Sequence, residues 1–221
     1  ILMPIPDANA RVAALRSGQV DFIEAPAPDA VPSLKAAGMQ IVTNIYPHNW
    51  TWFLAQIPGS PWTDLRVRKA ANLGIDRSGL KTLLGGLMVE GQGVVPKGHP
   101  WYGKPTFELK HDPDAARKLL AEAGYSPQKP LRTKVAISSS GSGQMQPLPM
   151  NEFIQQNLRE IGIEVEFEVF EWQALIECWK AGAGSPSARG CHALNISQGP
   201  FDPFRACLLY TSDAADERSS V

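Results

Sequence analysis

The sequence predicts an α/β protein, and three observations carry that prediction. Segments with helix caps and helical periodicity alternate along the chain with short extended segments. Residues 163–170, IEVEFEVF, alternate strictly between apolar and acidic side chains, the period of a strand. That strand follows at once on an amphipathic stretch stopped by Gly162, so helix and strand are joined as they are in a layered α/β unit.

From the amino end, residues 8–17 read as a helix ended by Gly18, and residues 20–23 as a short strand. Residues 30–37 read as a second helix stopped by Gly38, and residues 39–45 alternate as a strand. Residues 46–54 carry Tyr46, Trp50, Trp52 and Phe53, which suit a strand broken near its start by Pro47. Period two puts His48, Trp50 and Trp52 on one face and Asn49, Thr51 and Phe53 on the other. The Trp-bearing face is expected to pack, with the strand end exposed.

Residues 60–80, SPWTDLRVRKAANLGIDRSGL, turn from an extended lead-in into a helix. Thr63 is the expected N-cap, and Leu65, Val67, Ala70, Ala71 and Gly74 recur on one face, where small side chains imply close packing. Asp76 offers a second cap before Leu80, Leu83 and Leu84, and Gly85 and Gly86 end that run. Residues 85–105 form a loop rich in Gly and Pro whose glycines match neither order that cradles a phosphate.

Residues 111–125 read as a helix with Asp112 as cap, Pro113 in the first turn, Leu119, Leu120 and Ala123 on one side and Gly124 as stop. A strand at 131–137 leads into a linker loop, SSSGSGQMQP. Residues 148–161 place Met150, Phe153, Ile154, Leu158 and Ile161 on one helix face. In the strand that follows, Glu164, Glu166 and Glu168 face outward and Ile163, Val165, Phe167 and Val169 inward, which implies cover on one face only. Residues 172–181 read as a helix, and 193–196 as a strand running into SQGPFDPF.

Composition narrows the chemistry. With 21 basic and 22 acidic residues and a net charge of -1, no excess of cations is available for nucleic acid. The three cysteines, Cys178, Cys191 and Cys207, are odd in number and lack CxxC spacing, so they read as inert thiols and indicate neither a disulfide framework nor a zinc site. The nucleophile elbow GxSxG and the metal spacings HExxH and HxH do not occur, so no catalytic residue, metal ligand or cofactor is assigned. No apolar run reaches the roughly 20 residues that span a bilayer. His48, Asn49 and Trp50 make the most suggestive group, because indole rings beside polar side chains line many small-molecule clefts.

Taken in order, ALRSGQVDFIE, SPWTDLRVRKAANLGIDRSGL, HDPDAARKLLAEAGY and QQNLREIGIEVEFEVFEW resemble the extracytoplasmic solute-binding proteins of family 5, the oligopeptide, dipeptide and nickel-type receptors of ABC importers. The resemblance implies the type II periplasmic-binding-protein fold, two α/β lobes with a hinge, of which this chain is a truncated middle portion. Residues 1–58 would belong to the first lobe with its hinge strand and 59–206 would begin the second. Residues 207–221 resemble a translated sequencing adapter and are expected to be a non-native tail. By resemblance, the cleft lies at His48, Asn49 and Trp50 and at Ser197, Gln198, Phe201 and Asp202. A Trp often found before the Asp-Pro turn is here replaced by Ser197 or Gln198, which leaves the ligand class open. The implied partners are a peptide or other small solute and a cognate membrane permease, with no nucleic acid, for a monomer held in the periplasm or anchored outside the membrane as a lipoprotein. The same sensing domain in a transcriptional regulator, or a peptide hydrolase, are the competing readings.

Overall fold

The computed structural model describes residues 1–44, 48–93, 95, 97–100, 102–141 and 143–199. The chain divides into two compact units, one of Ile1–Tyr46 with Ser78–Glu90 and one of Pro47–Arg77 with Gly91–Val221.

The first unit is helical. Helix α1 (Ala8–Arg16) is capped by Asp7, whose carboxylate accepts from the Ala10 amide at 2.7 Å. Helix α2 spans Val31–Ala36 and α4, most of which lies in this unit, spans Arg77–Leu83. Val12, Val31, Leu34, Leu80 and Leu84 are buried. The strands expected at 20–23 and 39–45 are absent from the described residues. The Arg11 guanidinium donates to the carbonyls of Ile5, Pro6, Glu24 and Ala25 at 2.7–3.1 Å, tying the segments before and after α1 together. After α2, Gly38 adopts a φ of +80° and the Met39 amide donates back to the Leu34 carbonyl, a helix stop that leaves Val42 exposed.

The second unit is built on a four-stranded sheet of order β1-β4-β2-β3, with β1 at Asn49–Leu54, β2 at Leu131–Ser138, β3 at Ile163–Phe170 and β4 at Ala193–Gln198. β2 pairs in parallel with β3 and with β4, whereas β1 runs antiparallel to β4. Helix α3 (Leu65–Gly74), α5 (Pro113–Glu122) and α6 (Pro147–Glu160) bury Val67, Ala70, Leu120, Ile154 and Leu158 with Val135 and Ile163 of the sheet. On the opposite face α7 (Trp172–Ala181) buries Leu175 and Cys178 with Ala136, Leu194 and Ile196. The sheet is covered on both faces at its centre; along β3 the acidic face stays open at Glu164 and Glu166 as expected, and cover on that face begins only at the strand's end. Val169 is 52% exposed and Phe170 is buried, because α7 covers the other face at the end of β3. Glu168, expected in open solvent, sits between Lys134 at 2.6 Å and Arg189 at 2.8 Å. Those two cations hold its carboxyl below the usual range.

Local capping differs from expectation by one residue. Asp64, not Thr63, caps α3, because its carboxylate accepts from the Arg66 amide at 2.8 Å while Thr63 closes a 3-10 turn. The Arg66 guanidinium then hydrogen-bonds the same carboxylate, holding it below the ordinary carboxylate range, and donates to the Glu122 carbonyl at the end of α5. Leu65 and Leu83, expected on buried faces, are exposed. Close packing does hold at Gly74, where a Cβ would lie 2.5 Å from Ile161 Cδ1. β1 belongs to the second unit, where it is paired along its length with β4.

Candidate functional site

Two helical connections join the three parallel strands. Helix α6 carries the chain to β3 on one side of β2, packing on the face of the larger cluster, and α7 carries it from β3 back past β2 to β4, packing on the other face. The carboxyl ends of β2 and of its parallel neighbour β4 lie side by side. Open α/β sheets bind ligands outside the carboxyl ends of their strands.

The antiparallel pairing brings two distant segments of sequence to that end. Asn49 stands opposite Gln198 and Trp50 opposite Ser197. Ser197 Oγ and His48 Nδ1 lie 3.3 Å apart, and the Asn49 side-chain amide donates to the Gly93 carbonyl at 3.3 Å, which draws in the loop after α4. Of the seven residues expected at the cleft, His48, Asn49, Trp50 and Ser197 are thus brought together, and Gln198 takes the last position of β4. Phe201 and Asp202 lie outside the described residues. Period two holds as expected: Trp50 and Trp52 pack on the larger cluster and Phe53 on the smaller.

A buried polar tie holds this end in shape. Trp52 Nε1 donates to Asn151 Oδ1 at 2.8 Å, Asn151 Nδ2 donates to Asn195 Oδ1 at 3.0 Å and to the Pro147 carbonyl at 2.8 Å, and Asn195 Nδ2 donates to the Thr51 carbonyl at 3.0 Å. The first turns of α6 are thereby locked to β1 and β4. Neither asparagine stood out in the sequence, because each reads as an ordinary polar residue in an amphipathic pattern. The only available hint was an Asn at a position of α6 beside the buried Met150.

The loop from β2 to α6 supplies more polar groups. Ser138 and Gln144 are fully buried, and neither the Ser138 hydroxyl nor either side-chain atom of Gln144 has a hydrogen-bond partner among the described residues. Trp50 Nε1 is likewise buried without one. Burying an amide or indole N–H unpaired costs on the order of 1–3 kcal/mol, so these groups are poised to bond something else. The loop is not a slack linker. Gly141 lies against Trp172, where a Cβ would be 2.3 Å from the ring, and Met145 holds a φ of +57°. Chemically the set offers donors and acceptors from amide, hydroxyl, indole and imidazole groups, which suits polar, neutral ligand groups. No three His, Cys, Asp or Glu side chains among the described residues are grouped to hold a metal ion. No described helix is long and apolar enough to cross a membrane.

Residues 1–202 match the model of the bacterial extracellular solute-binding proteins, family 5, middle section. The chain is 29% identical over 177 residues to di/tripeptide-binding protein 2 of Pseudomonas aeruginosa, covering 80% of this chain and 33% of that protein. It spans about a third of the length of the curated relatives it matches. Among solved structures, NikA from Brucella suis in complex with Fe(III)-EDTA superposes with a TM-score of 0.72 at 23% identity, over 97% of this chain and 45% of that one. The oligopeptide-binding protein AppA from Bacillus subtilis in complex with a nonapeptide gives a TM-score of 0.67 at 22% identity, over 89% of this chain and 40% of that one. The fold is that of the type II periplasmic binding proteins, of which this chain carries a part.

Proposed function

The chain belongs to the bacterial extracellular solute-binding proteins of family 5, and on that premise we propose that it is the ligand-holding part of a receptor that captures a peptide or similar small solute and delivers it to an ABC permease. Residues 1–58 and 59–206 contribute to the two lobes that close on the solute, and the receptor works as a monomer in the periplasm or anchored outside the membrane. Closure traps the solute because the closed form makes contacts that the open form does not.

The observation that carries this reading is the meeting of residues 48–50 with Ser197 and Gln198 at the carboxyl end of β4. His48, Asn49, Trp50 and Ser197 contact the solute there, joined by Gln198, Phe201 and Asp202. Gln144 and Ser138 add the donors and acceptors that a peptide's own amide groups need.

The test is a calorimetric and thermal titration of the receptor containing this chain with di- to pentapeptides. A bound peptide at about 100 times its dissociation constant adds about 2.7 kcal/mol of stability, and Gln144→Leu, which keeps the volume but removes the amide, weakens binding by about tenfold. Absence of stabilisation by every peptide in that range would overturn the peptide reading.

A further inference from the structure

Away from the cleft, the α7 face of the sheet holds a cavity of about 150 Å³ whose lining includes Cys178, Cys191, Ala136, Ala188 and Leu194. Cys178 sits on α7 and Cys191 lies just before β4, and both thiols are 3% exposed members of the same buried cluster. They are separate free thiols in the structure, with a shared void between the elements that carry them. We propose that Cys178 and Cys191 are a disulfide site: oxidised, they staple α7 to the start of β4 across this cavity.

Four observations support the pairing. The void gives both side chains room to change rotamer without displacing a neighbour. The segment between them is already drawn tight, with Gly182 N bonded to Cys178 O at 3.1 Å and Cys191 N bonded to Ala188 O at 2.8 Å. The family is extracellular, where disulfides form and persist. Burial raises both thiols, Cys191 to about 11, so in the closed fold they resist exchange and a cross-link made during folding is retained.

The oxidant is an external disulfide, small molecule or protein. One cysteine thiolate attacks a sulfur of that disulfide and releases a thiol, forming a mixed disulfide. The second thiolate attacks the protein-side sulfur, forming the Cys178–Cys191 bond and releasing a second thiol. Two electrons and two protons pass to the oxidant.

Trypsin separates the two cysteines, Cys178 onto residues 160–180 and Cys191 onto 190–205. The full chain carrying Cys207→Ser is refolded with oxidised glutathione, unfolded without reductant, alkylated and digested. The expected result is a linked 160–180/190–205 peptide in most molecules and a melting temperature that drops by about 5 °C or more on reduction. Alkylation of both cysteines, or separate glutathione adducts on each, would overturn the proposal. A second variant, Cys178→Ser, should lose the linked peptide and melt at the same temperature with and without reductant; a reductant-dependent shift that survives in it would count equally against the pairing.

Discussion

On the face of the sheet covered by α3, α5 and α6, large side chains interlock closely enough that Gly74 has no room for a Cβ beside Ile161, and a polar cluster there is hydrogen-bonded from Trp52 through Asn151 and Asn195. On the face covered by α7 the apolar cluster is smaller and borders a half-open cavity, and Glu168 of β3 pairs with Lys134 and Arg189. The contrast teaches that a single sheet divides its work. The tight face ties β1, β4 and α6 together through Asn151 and Asn195, and the looser face is expected to tolerate change.

The largest test of that contrast is a matched pair of truncations. Leu158 and Leu175 are both fully buried, one on each face. Leu158→Ala should cost about 4 kcal/mol and Leu175→Ala about 2 kcal/mol in denaturant titrations, because neighbours beside an existing void relax more readily. Equal costs would erase the distinction. Next in size, Asn151→Ala should cost about 2 kcal/mol, because the half-buried Trp52 Nε1 and the buried Asn195 Oδ1 lose their partner. Loss of solute affinity in the same variant, with contacts to solute untouched, would show the tight face positioning the cleft.

Filling the looser face should do little harm. Ala136→Val adds volume into the cavity from β2 and is expected to stay within about 1 kcal/mol of neutral, read from the midpoint of the melt. A loss well beyond that would mean the void is already needed. The smallest effect is electrostatic. Because Lys134 and Arg189 depress Glu168, its folded form binds fewer protons than its unfolded form, so its contribution is present above the ordinary value of 4.5 and is lost as pH falls through the lower folded value. Glu168→Gln should flatten the acid arm of the stability profile slightly, since exposed pairs are screened.

How far the sequence reached can be read from particular residues. Helices α1, α5, α6 and α7 were legible because caps and stops are local: Asp112 accepts from Ala115 at 3.0 Å, and Gly124 adopts a φ of +90°. β2, β3 and β4 were legible by period and flanking turns. Neither strand expected in the first unit is present among the described residues, because alternation names a strand only when a partner ladder exists. At the site, His48, Asn49, Trp50 and Ser197 carried visible chemistry or family resemblance. Gln144 and Asn151 carried neither, since a glutamine in a Ser-Gly loop and an asparagine in a helix become special only once burial removes water from them.

By itself the sequence determined the α/β class, most element boundaries and the family, because capping, periodicity and motif order act over a few residues along the chain. Only the tertiary structure decided which groups meet. The antiparallel register of β1 on β4 sets Trp50 opposite Ser197, and the crossing of α7 beneath the sheet puts Cys178 and Cys191 on one cavity. Such meetings join residues far apart in sequence through packing and hydrogen-bond register, terms that no local window contains.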